Sequence, residues 1–167
     1  MLRPSLSIFE SGMAIHARYV HTNLVARDWQ RLSRFYQDVF GCQPVPPERH
    51  YKGIDLEHGT GVPGTELHGV HLRMPAYDAE GPTLEIYTYT VLQEGPLPPV
   101  NRPGFGHIAF TVDNVRRARE AVLAAGGSSV GEIVTLQTTT GSRVTWCYVR
   151  DPEGNIIELQ SWAPKDL

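Results

Sequence analysis

The stretch D-P-E-G-N-I-I-E-L-Q, residues 151–160, decides how the chain is interpreted, because a tight turn leads directly into an apolar strand that contains a carboxylate. Asp-Pro followed by Glu-Gly favours a turn, since proline fixes φ and glycine accepts a positive φ. Ile156, Ile157 and Leu159 favour burial. Glu158 among them would lose several kcal/mol of hydration if it were buried without a partner. The pattern predicts either an edge strand with Glu158 in water or a cation beside this carboxylate.

The same pattern occurs a second time in the chain. Glu85 lies in the apolar segment L-E-I-Y, residues 84–87, after a Gly-Pro turn. Upstream of each glutamate comes a strand with an early histidine and then a helical pattern that stops at glycine, over residues 21–41 in one copy and 107–126 in the other. An internal repeat with histidine, helix and glutamate in the same order predicts two related structural units.

The composition of the chain is that of an ordinary globular protein. With 167 residues, it can bury a sizeable core as one domain or as two small, tightly packed modules. A net charge of -3 and a pI near 6.1 favour neither nucleic acid nor an anionic membrane as a partner. No apolar run approaches the ~20 residues that span a bilayer. Cys42 and Cys147 lie outside any C-x-x-C pattern, which favours reduced thiols in a cytoplasmic protein.

Turn-forming residues divide the chain into four segments. Residues 1–16 are interpreted as an N-terminal extension, because proline, serines and glycine interrupt its apolar residues. Residues 17–90 are predicted to form a first module with the order strand, helix, strand, strand, strand (βαβββ), and residues 105–167 a second. Residues 91–104 are rich in proline, which predicts a stiff, extended linker. The fold class is therefore α+β.

In the first module, the helix is the best-defined element. Asp28 is its predicted N-cap, and Gly41 follows its last turn. Prolines within residues 44–47 are predicted to interrupt the segment that follows, before a glycine-rich loop. The predicted strands are residues 18–25, 67–74 and 83–90.

The second module shows the same order with shorter loops. A strand over residues 106–112 contains His107 and is followed by a helix that Asp113 or Asn114 can cap. The apolar stripe of this helix comprises Val115, Ala118, Ala121, Val122 and Ala125, and glycines 126 and 127 are expected to end it. Further strands are predicted at residues 129–136, 143–149 and 155–162.

A histidine and a glutamate in each module suggest a metal site, because imidazole nitrogen and carboxylate oxygen are common ligands of divalent transition metals. If the first and last strands of a module are neighbours, both of its ligands can point to one face. Two such faces turned towards each other would supply four ligands and leave positions for water or substrate. A single histidine or glutamate is more often an ordinary surface residue. The repetition of the pair favours a metal site.

With these residues identified, the chain resembles the vicinal oxygen chelate superfamily, which includes glyoxalase I, extradiol dioxygenases and bleomycin-binding resistance proteins. The resemblance covers residues 17–162. It is strongest in F-Y-Q-D-V-F-G (residues 35–41), G-F-G-H-I-A-F-T-V-D (residues 104–113) and D-P-E-G-N-I-I-E-L (residues 151–159). It implies a glyoxalase-like fold, in which paired βαβββ modules form a curved mixed sheet around a metal.

The resemblance also implies a ligand set and an activity. His21, Glu85, His107 and Glu158 would bind a divalent ion of nickel, zinc, cobalt, manganese or iron, a set similar to that of bacterial glyoxalase I. The implied enzyme is a metal-dependent lyase or isomerase whose small-molecule substrate is chelated through its oxygens and loses a proton to give an enolate-type intermediate. Glu158 is the expected base, with Glu85 as the alternative. The expected assembly is a homodimer, whose site forms either within one chain or between two.

Substrate contacts are expected from residues that share strand faces with these ligands. The candidates are Asn23, Tyr87, Tyr89, Thr111, Gln160 and Trp162, with His50 after the Pro-Pro turn as a possible clamp. Glyoxalase I holds glutathione with an arginine shortly after its first metal histidine and an asparagine shortly after its first metal glutamate. The matching positions here are Val25 and Tyr89. We therefore expect little turnover of the glutathione hemithioacetal.

Other functions stay open at this level. Extradiol ring-cleavage dioxygenases of this superfamily use two histidines and one carboxylate, which would leave Glu85 unused. Enzymes that transfer a thiol to an antibiotic usually have a similar set of three ligands. A metal-free drug-binding resistance protein would use the same cavity but typically lacks the ligands. The metal content of the purified protein distinguishes the enzyme classes from the binding protein.

Overall fold

Two units follow each other in the computed structural model, which describes residues 17–163, and each begins with a strand and a helix and ends with two long strands. The first unit contains β1 (His21–Val25), α1 (Trp29–Phe40), β2 (Gln43–Tyr51), α2 (Ile54–Thr60), β3 (Leu67–Arg73) and β4 (Thr83–Tyr89). The second contains β5 (Ile108–Thr111), α3 (Val115–Ala124), β6 (Ser128–Ser129), β7 (Val134–Gln137), β8 (Arg143–Arg150) and β9 (Ile156–Ala163). The predicted α+β class is confirmed. The predicted extension at residues 1–16 lies outside the described residues.

Each unit forms its own mixed sheet. The strand order is β1-β4-β3-β2 in the first sheet and β5-β9-β8-β6 in the second, where β7 also pairs with β8. β1 runs parallel to β4, and β5 runs parallel to β9, whereas the remaining pairs are antiparallel. The first and last strands of each unit are therefore neighbours. Within the described chain, β1 and β5 lie at the edges of their sheets.

A shared apolar core joins the two units. Residues of both sheets and of α1 and α3 belong to one buried cluster. Phe40 of α1 stacks on Phe110 of β5, with ring centroids 4.0 Å apart. Residues 91–104 contain no helix or strand, and the carbonyl of Pro98 in this segment accepts a hydrogen bond from Arg150 at 2.7 Å. The contact between the units is therefore made by side chains as well as by the connecting segment.

The turn at residues 151–154 is built around a buried carboxylate. Asp151 accepts hydrogen bonds from the backbone N–H groups of Glu153 and Asn155, both at 2.9 Å, and from the side chain of Asn155 at 2.8 Å. The hydroxyl of Tyr36, from the first unit, donates a fourth at 2.9 Å. Burial raises the pKa of Asp151, and the hydrogen bonds from Asn155 and Tyr36 oppose this rise. Gly154 has φ 96, which explains why glycine occupies this position.

Both long helices begin at the positions that their capping residues predict. Asp28 accepts a hydrogen bond from the N–H of Arg31 at 2.9 Å, and Gly41 ends α1 with φ 71. Asn114 caps α3 through the N–H of Arg117 at 3.0 Å. The predicted apolar stripe of α3 is partly wrong, because Ala121 and Ala125 are exposed while Val115 and Val122 are buried. Alanine favours a helix without requiring burial, so it is a poor marker of the buried face.

Two predicted details of the strands and loops are wrong, and one helix was missed. The proline-containing segment is not a break but the edge strand β2, where the missing N–H groups of proline can face outwards. The short helix α2 was not predicted from the sequence. The single strand predicted at residues 129–136 is divided into β6 and β7. Within residues 17–163, no helix is both long and apolar enough to cross a bilayer.

Candidate metal centre

His21 and Glu85 meet on the face of the first sheet that is turned away from the core. Asn23 lies directly opposite Glu85 in the parallel pair of β1 and β4. His21 is two residues before Asn23, so its side chain points to the same face. Its Nδ1 lies 3.3 Å from Oε1 of Glu85. The neighbouring residues Leu84 and Ile86 point to the opposite face and are fully buried.

His71 completes this contact, although the sequence prediction did not include it among the site residues. It lies directly opposite Glu85 in β3, and its Nε2 is 3.1 Å from Oε1 of Glu85 and 2.8 Å from the hydroxyl of Tyr87. Burial lowers the pKa of His71, while the charge of Glu85 opposes this shift. The sequence carries a signal for this residue, because His71 alternates with the apolar Val70 and Leu72.

His107 and Glu158 form the matching contact in the second unit. Glu158 lies opposite Ala109 of β5, and His107, just before this strand, has its Nε2 3.0 Å from Oε2 of Glu158. Tyr148 lies opposite Glu158 on the other side, in β8. Burial and the negative charge of Glu158 raise the pKa of Tyr148. The ring of His107 packs on that of Tyr148, with centroids 5.0 Å apart, so Tyr148 is a further site residue that the sequence prediction missed.

A cavity of about 140 Å³ adjoins Glu158. Its lining comprises Val144, Trp146, Tyr148, Glu158, Gln160 and Trp162. Trp162 and Gln160 were expected here because they alternate in phase with Glu158. Thr111 lies opposite Gln160 on the same face and is exposed. Pockets for drug-sized ligands have volumes of about 300–1,000 Å³, so a substrate of that size needs a further surface to enclose it.

The first sheet places most of its predicted substrate residues on the face that carries Glu85. Asn23 and Tyr87 alternate in phase with the ligands, and Tyr89 follows one further step along β4. Burial is the main cause that raises the pKa of Tyr87, and the negative charge of Glu85 raises it further. His50 differs, because its register partner His68 shares a face with the core residues of β3. The structure thus places His50 on the face opposite Glu85.

The two His–Glu contacts do not merge into one cluster within the described chain. They belong to separate sheets. Among residues 17–163, one group of three or more potential metal ligands has all of its ligand atoms within 4.8 Å of one another. This group is His50, Glu66 and His68. One chain therefore presents two halves of the predicted ligand set. Each half offers one imidazole nitrogen and one carboxylate oxygen, which suit a divalent transition metal.

A comparison with protein families agrees with this architecture. The family model described as the glyoxalase/bleomycin resistance protein/dioxygenase superfamily matches residues 18–159. The chain belongs to this superfamily. A probable lactoylglutathione lyase of Vibrio parahaemolyticus serotype O3:K6 (strain RIMD 2210633) is 27% identical over 144 residues, which are 86% of this chain and 90% of that relative. The family resemblance seen in the sequence is confirmed.

Solved structures of the superfamily share the fold. A glyoxalase family protein from Bacillus cereus has a TM-score of 0.74 and 18% identity, covering 92% of this chain and 99% of its own. A mutant glyoxalase I from Zea mays has a TM-score of 0.58 and 18% identity, covering 85% of this chain and 45% of its own. A domain of a glyoxalase/bleomycin resistance protein/dioxygenase from Frankia sp. EAN1pec has a TM-score of 0.56 and 15% identity, covering 92% and 96%. The predicted glyoxalase-like fold is confirmed.

Proposed function

We propose that the protein is a metal-dependent lyase or isomerase of the glyoxalase type, and that two chains together supply its ligand set. The observation that carries the proposal is the presence of one His–Glu contact in each unit, His21 with Glu85 and His107 with Glu158. Both contacts combine nitrogen and oxygen ligands that fit nickel, zinc, cobalt, manganese or ferrous iron. Four such ligands would leave coordination positions for a substrate.

Two structural features support the contribution of a second chain. His21 lies on the edge strand β1, and His107 lies just before the edge strand β5. An exposed edge can pair with a strand of another molecule, and pairing β1 of one chain with β5 of another would continue the sheet. The His21–Glu85 contact would then lie beside the partner's equivalent of the second contact. A two-fold axis would create two identical sites.

The size of the cavity beside Glu158 also supports this assembly. At about 140 Å³, it holds only part of a substrate of ordinary size. The first sheet presents Tyr87 and Tyr89 on its ligand face, and these aromatic rings could form the opposite wall. The polar residue Asn23 lies on the same face, directly opposite Glu85. A homodimer would therefore enclose the substrate between two faces that are open in one chain.

Glu158 is the proposed general base. A divalent ion supplies a Lewis acid that stabilises negative charge on the substrate oxygens. Glu85 is held by both His21 and His71, whereas Glu158 contacts one histidine and borders the cavity. The carboxylate of Glu158 is thus better placed to take a proton from the carbon next to a chelating oxygen and to return it. Tyr148 packs beside His107 and positions this part of the site.

The proposed substrate has two neighbouring oxygens and an acidic C–H bond. Hemithioacetals fit this description, and the named activity of the Vibrio relative supports this class. Val25 and Tyr89 stand where glyoxalase I has its glutathione-holding arginine and asparagine. We therefore propose hemithioacetals or related carbonyl compounds that carry small uncharged groups. Comparing hemithioacetals of methylglyoxal made with glutathione and with 2-mercaptoethanol tests this preference.

Mixing two inactive variants tests the two-chain site. Glu85→Gln and Glu158→Gln each damage both sites of a homodimer. In a mixed dimer, one site carries both substitutions and the other carries neither. Random exchange makes half of the dimers mixed, so turnover should return to about a quarter of the wild-type value. A mixture that stays as inactive as its components, after exchange is verified by mass spectrometry, would show that each site belongs to one chain.

Metal content separates the proposed enzyme from the alternative of a metal-free drug-binding protein. Protein purified without added metal and analysed for its elements should contain a divalent ion that is lost in the double variant His21→Gln/His107→Gln. If the wild type holds no more divalent metal than the double variant, both as purified and after dialysis against the five candidate metals, the binding function is favoured. Oxygen consumption with ferrous iron and a catechol tests the dioxygenase alternative.

A further inference from the structure

A second cluster of metal-ligand side chains lies at the junction of β2 and β3. His50 and His68 are directly opposite each other in these antiparallel strands. Their imidazole rings stack with centroids 4.0 Å apart and an interplanar angle of 20°. Oε2 of Glu66 lies 2.7 Å from Nε2 of His50 and 3.7 Å from Nε2 of His68. Three potential ligand atoms therefore already lie within 4.8 Å of one another.

The first sheet separates this cluster from the contact between His21 and Glu85. His68 alternates in phase with Val70, which points into the core, whereas His71 alternates out of phase with both and contacts Glu85. Side chains of opposite phase project from opposite faces of a strand. The two clusters therefore occupy different faces, and an ion at one does not share ligands with the other.

We propose that His50, Glu66 and His68 form a second binding site for a divalent transition-metal ion such as Zn²⁺. Two imidazole nitrogens and one carboxylate oxygen match the ligand preference of zinc and leave a fourth position for water. The side chains are 44%, 40% and 44% exposed, so an ion can enter directly from solvent. The stacked rings must turn slightly to aim both nitrogens at one ion, and the broad χ2 preference of histidine permits this rotation.

An ion at this site would tie the edge strand to the rest of its sheet. His50 lies near the end of β2, and Glu66 comes just before β3, so the three ligands flank the connection that contains α2. His50 and Glu66 are 16 positions apart in the chain. Binding to the folded state alone stabilises it by mass action. The site therefore has a structural role, and it stands whether or not the proposed enzyme function is correct.

Counting bound zinc per chain tests the proposal. Metal-free protein is dialysed against excess Zn²⁺, and bound zinc is measured by elemental analysis in the wild-type chain and in the variants His68→Gln and Glu66→Gln. His58→Gln, at an exposed position of α2, is the matched control. We expect both site variants to bind one ion fewer per chain than the wild type and the control. Equal zinc content in all four proteins would overturn the proposal.

A second measurement keeps the result independent of variant folding and of the other site. In the wild-type chain, titration with Zn²⁺ should shift the Nε2 resonances of His50 and His68 in a long-range ¹H–¹⁵N spectrum. The double variant His21→Gln/His107→Gln should show the same shifts, because its substitutions lie outside this cluster. If the double variant His21→Gln/His107→Gln binds as much zinc as the wild type, the proposed function fails while this second site stands. If the two resonances do not respond to zinc, the second site is absent.

Discussion

The two units of the molecule hold equivalent glutamates in different surroundings. Glu85 is contacted by His21 at 3.3 Å and by His71 at 3.1 Å, and His71 also contacts the hydroxyl of Tyr87. Glu158 is contacted by His107 at 3.0 Å and borders an aromatic cavity. Under the proposed function, this difference favours a division of roles, with the first unit mainly holding the ion and the second supplying a less constrained carboxylate. We expect Glu85 to contribute mainly to metal affinity and Glu158 mainly to proton transfer.

Glutamine at each position should produce the largest contrast. A general base contributes about 10²–10⁴-fold to the rate, so Glu158→Gln should reduce kcat by about this factor. Because the amide oxygen can still act as a ligand, the variant should keep most of its metal. Glu85→Gln should instead lose metal as well as activity, because the charge of Glu85 holds two histidines, His21 and His71, and the neutral amide weakens both contacts. Steady-state kinetics and elemental analysis of the same preparations test this difference. Full turnover by Glu158→Gln would remove that residue from the proposed chemistry.

Removing the second histidine around Glu85 should weaken metal binding. His71→Ala deletes a partner that positions the carboxylate, and loss of such a partner typically lowers metal affinity about 10–100-fold. Tyr148→Phe in the second unit should have a smaller effect, because the ring that packs on His107 is kept. Competition with a chelator measures both affinities. Equal weakening by the two substitutions would contradict the division of roles between the units.

Cutting the hydrogen bond between the units should reduce stability. Tyr36→Phe removes a donor to the buried carboxylate of Asp151, and a hydrogen bond to a charged group contributes about 1.5–3 kcal/mol. Tyr77→Phe, at an exposed tyrosine, is the control. Urea denaturation at pH 7 measures the two free energies of unfolding. If the free energies of unfolding of Tyr36→Phe and Tyr77→Phe are equal, the contact between α1 and the turn adds nothing to stability.

The effect of Tyr36→Phe should also depend on pH. Burial raises the pKa of Asp151 above that of the unfolded chain, so stability from this group is present below the unfolded pKa and is lost as pH rises through the folded value. The Tyr36 hydroxyl opposes this shift, and its removal raises the folded pKa further. The difference in stability between Tyr36→Phe and the wild type should therefore be larger at pH 7 than in acid. A difference that does not change with pH would show that Asp151 is not the linked group.

The smallest expected effect concerns substrate choice. Val25→Arg combined with Tyr89→Asn restores the glyoxalase I pattern on the first sheet without changing a predicted ligand. A new hydrogen bond to a charged group contributes about 1.5–3 kcal/mol, so kcat/KM for the glutathione hemithioacetal should rise by about tenfold or more. The 2-mercaptoethanol hemithioacetal is the control substrate, for which little change is expected. Unchanged selectivity would show that this face does not determine it.

Much of the fold could be predicted because local signals repeat in the sequence. Asp28, Asn114 and Gly41 mark helix ends by hydrogen bonds that depend on neighbouring residues alone. Strand alternation also allowed His21 and Glu85 to share a face, on condition that their strands are neighbours. The strand β2 was missed because proline excludes a central strand but not an edge strand, and the position of a strand in its sheet is not a local property.

The rest of the site depends on strand neighbours and register. The structure places β3 beside β4, and this pairing brings His71 to Glu85. The phase of His71 was visible in the sequence, but its partner was not. The register of β2 shifts by two residues between Val45 and Arg49, which brings His50 opposite His68. Its register places His50 on the face opposite Glu85. In the proposed assembly, the two His–Glu contacts meet only when a second chain is present.

A crystal of the protein grown with its metal would test the central claim most directly. Anomalous scattering at the metal edge locates the ion independently of any assumed geometry. We predict an ion about 2.0–2.2 Å from His21 and Glu85 of one chain and equally close to the second chain's copies of His107 and Glu158. An ion held by one of these pairs alone, or a dimer that keeps the two contacts apart, would contradict the account.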